Sequence, residues 1–124
     1  MAAEKFHFDK YELLICISGG ISAYKTASLV SALIQKKAAV SVAMTANATK
    51  LIGPATFRAL AGRVVYTDLW AEELSNDIEH ISLSERADLV VVAPATANIL
   101  AKMAAGIADD LVSTTLLRDR KSVV

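Results

Sequence analysis

Apolar residues recur along this chain in two rhythms that take turns. Continuous runs at 12–17 (ELLICI), 39–44 (AVSVAM) and 89–93 (LVVVA) have the length and aliphatic content of strands buried on both faces, and Val64 to Tyr66 adds a shorter one. Between them the period lengthens. Residues 22–37 place Ala23, Ala27, Val30, Leu33 and Ile34 on one helical stripe, closed by the cations Lys36 and Lys37. Asn47 to Ala61 predicts two short helices broken at Gly53-Pro54, because proline removes a donor and restricts the residue before it. A polar loop follows over 68–77, then helical patterns over 79–87, 96–104 and 111–117, with Pro94 ending the third strand and Asp109 and Asp110 opening the last helix.

Strand and helix in alternation predict an α/β fold: an open, doubly wound, Rossmann-like parallel sheet, with ligands beyond the carboxyl ends of its strands. The 124 residues suit one domain spanning 1–124, and an apolar content of 54% is enough to cover both faces of such a sheet. Lys121 to Val124 reads as a turn entering another strand, so the domain is expected to be truncated at its C-terminal end. Thirteen basic and thirteen acidic residues cancel without forming blocks, which gives no reason to expect nucleic acid or an acidic membrane as a partner. The charged N-terminus and the absence of a run of roughly 18 apolar residues lead us to expect a soluble, cytoplasmic protein. The single cysteine, Cys16, lies inside the first strand and reads as packing, and no metal site is expected.

Candidate chemistry concentrates at three strand ends: Ser18 to Ser22, Thr45 to Asn47 and Pro94 to Asn98. The first runs from a strand through Ser-Gly-Gly into a helix, where the glycines are expected to let the backbone turn sharply and the free N–H groups of the helix to face an anion. A dinucleotide fingerprint lacks its third glycine and its later carboxylate, and a Walker A loop lacks its Gly-Lys-Ser/Thr. Hydroxyls and amides at these loops suit a mononucleotide phosphate such as that of FMN; a plain strand-to-helix turn without a ligand is the competing reading.

Four blocks in order carry a resemblance: SGGISAYK at 18–25, VAMTANATKLIGPATFRALAG at 42–62, HISLSERADLVVVAPATAN at 80–98 and KMAAGIADDLVSTTLL at 102–117. Together they resemble the flavin-containing cysteine decarboxylases, above all the branch acting on phosphopantothenoylcysteine in coenzyme A biosynthesis, which includes the decarboxylase half of bacterial bifunctional decarboxylase/synthetases. The resemblance implies a Rossmann-like flavoprotein with FMN as cofactor and phosphopantothenoylcysteine as small-molecule substrate. It also implies a homo-oligomer, a trimer or a multiple of trimers, for which Leu51 to Leu60 is a candidate contact surface.

Residue by residue, the resemblance places Gly19, Gly20, Ile21 and Ser22 at the FMN phosphate loop, Thr45, Ala46 and Asn47 at a second flavin loop, and Thr96, Ala97 and Asn98 against the flavin. His80 falls on the family's active-site histidine. Thr96 could equally be a helix cap, and a histidine at a helix start is commonly a capping residue. His7 reads as incidental, and Phe57 and Trp70 as core or contact residues. Ile99 stands where many relatives carry a hydroxyl. The family's Pro-x-Met-Asn segment and its reductive cysteine do not occur in the sequence, so the chain is expected to hold a flavin site with half an active site and to be inactive alone. Two alternatives stay open: a related flavoenzyme acting on another cysteine-containing substrate, or a flavin-binding regulatory or oligomer-building subunit without activity.

Overall fold

The computed structural model describes residues 8–9, 11–67 and 85–118. In chain order the elements are β1 (Glu12–Ile17), α1 (Ala23–Gln35), β2 (Ala39–Met44), α2 (Ala46–Leu51), α3 (Pro54–Ala61), β3 (Val65–Tyr66), β4 (Leu89–Val92), α4 (Ala97–Ala105) and α5 (Leu111–Arg118). The four strands form one parallel sheet in the order β3-β2-β1-β4. Ile15 pairs with Val42 on one side and Val91 on the other.

Alternation along each strand sorts its side chains onto two faces, and both are covered. Leu13, Ile15, Ile17, Val40, Val42 and Met44 pack with Ala23 and Val30 of α1, Ala48 of α2 and Phe57 of α3. Leu14, Cys16, Ala43 and Val90 pack with Ile99 of α4 and Leu111, Val112 and Leu116 of α5. Cys16 is fully buried in this second cluster, as its place in the strand predicts. Phe57 is likewise wholly buried, while Leu51 in the same segment is exposed. Helix α1 stops two residues short of the predicted end: Lys36 is its C-cap, and Lys37 takes a left-handed φ of 72° that cannot continue the helix. Among the described residues no helix is long and apolar enough to cross a membrane.

At the amino end of the sheet, Arg63 Nη1 and Nη2 donate to the two carboxylate oxygens of Glu12 at 2.9 and 3.0 Å, and Nη1 also donates to Ser41 Oγ at 3.0 Å. The hydrogen bond from Arg63 holds the Glu12 carboxyl below its ordinary value, against the opposing effect of burial. Because the folded-state value is depressed, this stabilisation is complete above the unfolded glutamate pKa and is lost as pH falls through the lowered folded value. Arg63→Met is therefore expected to cost about 0.5–1 kcal/mol at pH 7, a figure discounted for the pair's solvent exposure, and progressively less below about pH 4. Urea unfolding at pH 7 and pH 3 checks this; an equal loss at both would show that the ion pair is not its source.

Candidate functional site

The strand order places the end of β1 beside the end of β4, with the chain leaving β1 toward one edge of the sheet and β4 lying on the other side of it. This is the switch point at which open α/β sheets leave a crevice. Side chains then tie the two loops together. Buried Ser18 donates through Oγ to the Pro94 carbonyl and accepts from the Thr96 N–H at 3.0 Å, while Thr26, in the first turn of α1, donates to the Ala93 carbonyl at 2.9 Å.

Space, more than backbone conformation, restricts the first loop to small residues. The left-handed backbone seen at Gly62 and Gly106 is not used by Gly19 or Gly20. Close approach excludes a side chain at Gly19 and leaves a tight fit for one at Gly20. A Cβ on Gly19 would lie 2.6 Å from Cβ of Asn47, and one on Gly20 would lie 3.1 Å from Cγ of Pro94. The β1 loop is therefore wedged between the β2 and β4 loops, which brings all three strand ends together.

Both flanking loops end in a capped helix. Thr45 Oγ1 accepts from the Ala48 N–H at 3.2 Å at the start of α2, and Thr96 Oγ1 accepts from the Ile99 N–H at 3.3 Å at the start of α4. The capping reading of Thr96 thus holds, and the residue also lines the crevice. Ser22 occupies the N-cap of α1 without a side-chain capping bond.

The resulting cleft has a volume of about 260 Å³. Of the expected site residues, Gly19, Thr45, Ala46, Asn47, Thr96 and Asn98 line it. Gly20, Ile21, Ser22 and Ala97 are not among its lining residues; Ile21 is almost fully exposed on the same loop. His80 lies outside the described residues, as do His7 and Trp70. The cleft also includes Ser18, Ile99, Lys102 and Asp110, of which the last three were not singled out as site residues. Helical spacing could have found Lys102, four residues after Asn98 and so on the same face of α4. Ile99 is buried in the second core cluster, where it packs against the sheet.

The two walls of the cleft differ in charge. Around Gly19, Thr45 and Asn47 the lining offers backbone, hydroxyl and amide groups. Elsewhere in the lining, Lys102 Nζ pairs with Asp109 at 2.9 Å, which raises the lysine's pKa and lowers that of the aspartate.

Comparison with known proteins adds a second line of argument. The sequence pattern of the family described as Flavoprotein matches residues 1–122. The chain is 50% identical over 105 residues to the coenzyme A biosynthesis bifunctional protein CoaBC of Bacillus subtilis, covering 85% of this chain and 26% of that protein. It therefore spans about a quarter of the length of such relatives. Its fold superposes on the FMN-dependent cysteine decarboxylase SpaF with a TM-score of 0.84 at 32% identity, over 93% of this chain and 66% of that one. A mutant PPC decarboxylase solved with pantothenoylaminoethenethiol gives a TM-score of 0.74 at 25% identity, over 92% and 64%. A parallel sheet whose three loops close on one cleft, together with a match across nearly all its length, makes this chain a member of the Flavoprotein family.

Proposed function

We propose that this domain binds FMN and serves the decarboxylation of phosphopantothenoylcysteine to phosphopantetheine in coenzyme A biosynthesis. The observation that carries the reading is the cleft at the switch point, where the β1, β2 and β4 loops meet in a polar lining without a dinucleotide fingerprint. Its donor set suits the group. Backbone and amide groups around Gly19 and Asn47 can hold a phosphate, and Thr45, Thr96 and Asn98 can hydrogen-bond an uncharged polyol or ring.

Bound FMN would supply the two-electron oxidation of the cysteine side chain that creates an electron sink and, once carbon dioxide has left, would return the same two electrons so that the product is a saturated thiol, redox chemistry that no side chain here provides. The protein's own part is placement. Gly19 to Ser22 and Thr45 to Asn47 anchor one end of the ligand, and Thr96 to Asn98 hold the other against β4. With the substrate thiol oxidised to a thioaldehyde, the carboxylate can leave as carbon dioxide. His80 would exchange a proton with, or hold charge on, the reacting thiol or carboxylate, as a group titrating near neutrality can.

In this reading the protein is cytoplasmic and assembles as a homo-oligomer built on trimers. A cleft of about 260 Å³ is slightly below the roughly 300–1,000 Å³ of complete small-molecule sites, which supports a further wall from a neighbouring subunit.

The full-length protein is expected to purify yellow. The flavin released on denaturation should chromatograph as FMN and not FAD. A colourless protein that also fails to bind added FMN would overturn the proposal.

A further inference from the structure

One wall of the cleft carries a cation and an anion whose hydrogen-bonding capacity is only partly used. Lys102 Nζ donates to Asp109 Oδ1 at 2.9 Å and lies 3.9 Å from Asp110 Oδ2, too far for a direct hydrogen bond. The other oxygen, Asp110 Oδ1, is committed to the start of α5: it accepts from the Ser113 N–H at 2.7 Å and the Ser113 hydroxyl at 2.6 Å. Ser113 Oγ in turn accepts from the N–H groups of Asp109 and Asp110, both at 3.1 Å. Among the described residues, Asp110 Oδ2 accepts no hydrogen bond. An ammonium donor and a carboxylate acceptor thus stand side by side in the cleft wall, one held by α4 and the other by the reciprocal cap of α5.

Two features of this pair limit what it can meet. With Asp109 the cluster sums to one negative charge, so this wall disfavours a phosphate, whereas the lining around Gly19, Thr45 and Asn47 has no carboxylate. A donor beside an acceptor complements a ligand edge that presents an acceptor beside a donor. The adjacent carbonyl and N–H of a cyclic imide have that arrangement.

We propose that Lys102 and Asp110 form a two-point clamp for the imide edge of the flavin ring, with Lys102 donating to a ring carbonyl and Asp110 accepting from the ring N3–H. The clamp fixes which way round the flavin lies, with its phosphate toward Gly19 and Asn47. It rests on the reading of this cleft as an FMN site. A carboxylate placed to accept a ligand N–H discriminates strongly against an analogue that lacks it, because the acceptor is then left unpaired.

The test uses the full-length protein stripped of flavin, with affinities measured by quenching of flavin fluorescence. Riboflavin is expected to bind at least about ten-fold more tightly than 3-methylriboflavin, in which the N3–H is replaced. Asp110→Asn should bring that ratio close to one, since asparagine can keep its oxygen on Ser113 while presenting an NH₂ where the acceptor stood. Lys102→Met should weaken FMN and riboflavin by the same factor, with partial rescue by Lys102→Arg. A methyl effect unchanged by Asp110→Asn would assign it to crowding elsewhere and overturn the clamp. So would a Lys102→Met protein that loses FMN but retains riboflavin, because Lys102 would then be the counter-charge of the phosphate. In both cases flavin binding by the wild type leaves the functional reading standing; if the wild type binds no flavin, the reading and the clamp fall together.

Discussion

Gly20→Asp is expected to leave the fold in place and to lower FMN affinity by at least the order of 10³-fold. Geometry decides where the new side chain goes. A Cβ at this position would lie 3.1 Å from Cγ of Pro94 and 3.6 Å from Cγ2 of Thr96, so the carboxylate is added beside Thr96, which lines the cleft. The negative charge then sits on the loop proposed to hold the phosphate. Like charges about 4 Å apart near a protein surface repel by about 4 kcal/mol, which is the source of the 10³-fold figure. Riboflavin, which lacks the phosphate, should lose much less. Flavin content after purification, titration with both flavins and circular dichroism on the same samples separate charge from misfolding. Gly20→Ala, which adds the Cβ without the charge, should retain most of its FMN. A folded Gly20→Asp protein with undiminished FMN affinity would mean that this loop does not face the phosphate.

The local elements were legible because each is specified by its own residues. Strands β1 and β2 begin and end where their apolar runs do, and Gly53-Pro54 separates α2 from α3 as proline requires. The convergence of three loops followed from the alternation of strands and helices, since a parallel sheet puts all its strand ends on one side. What could not be read was contact between loops. The crowding at positions 19 and 20 comes from Asn47 and Pro94, residues distant in sequence. Lys102 and Asp110 were missed for a related reason. The aspartate is recognisable as a helix start, but only the fold of α4 against α5 turns a cap and a helix-face lysine into one wall of a cleft.

His80→Asn is expected to separate binding from chemistry. The cleft is lined by residues of the β1, β2 and β4 loops and of α4 and α5, and of the groups proposed to anchor FMN, Gly19, Thr45, Ala46, Asn47, Thr96 and Asn98 lie there. His80 belongs to another segment, outside the described residues, and its proposed work is on the substrate. The variant should therefore keep its FMN and its assembly state. Release of carbon dioxide from phosphopantothenoylcysteine should nevertheless fall by at least about 10²-fold, the usual consequence of losing a general acid or base. Asparagine keeps a similar size and one hydrogen-bonding nitrogen, so a histidine that only caps a helix would tolerate the change. It cannot take up or release a proton near neutrality, so a histidine that moves one would not. Flavin absorbance and carbon dioxide release are measured on the same sample of full-length protein. Near-normal turnover with bound flavin would make His80 a structural residue, and loss of flavin together with turnover would place it in the cofactor site.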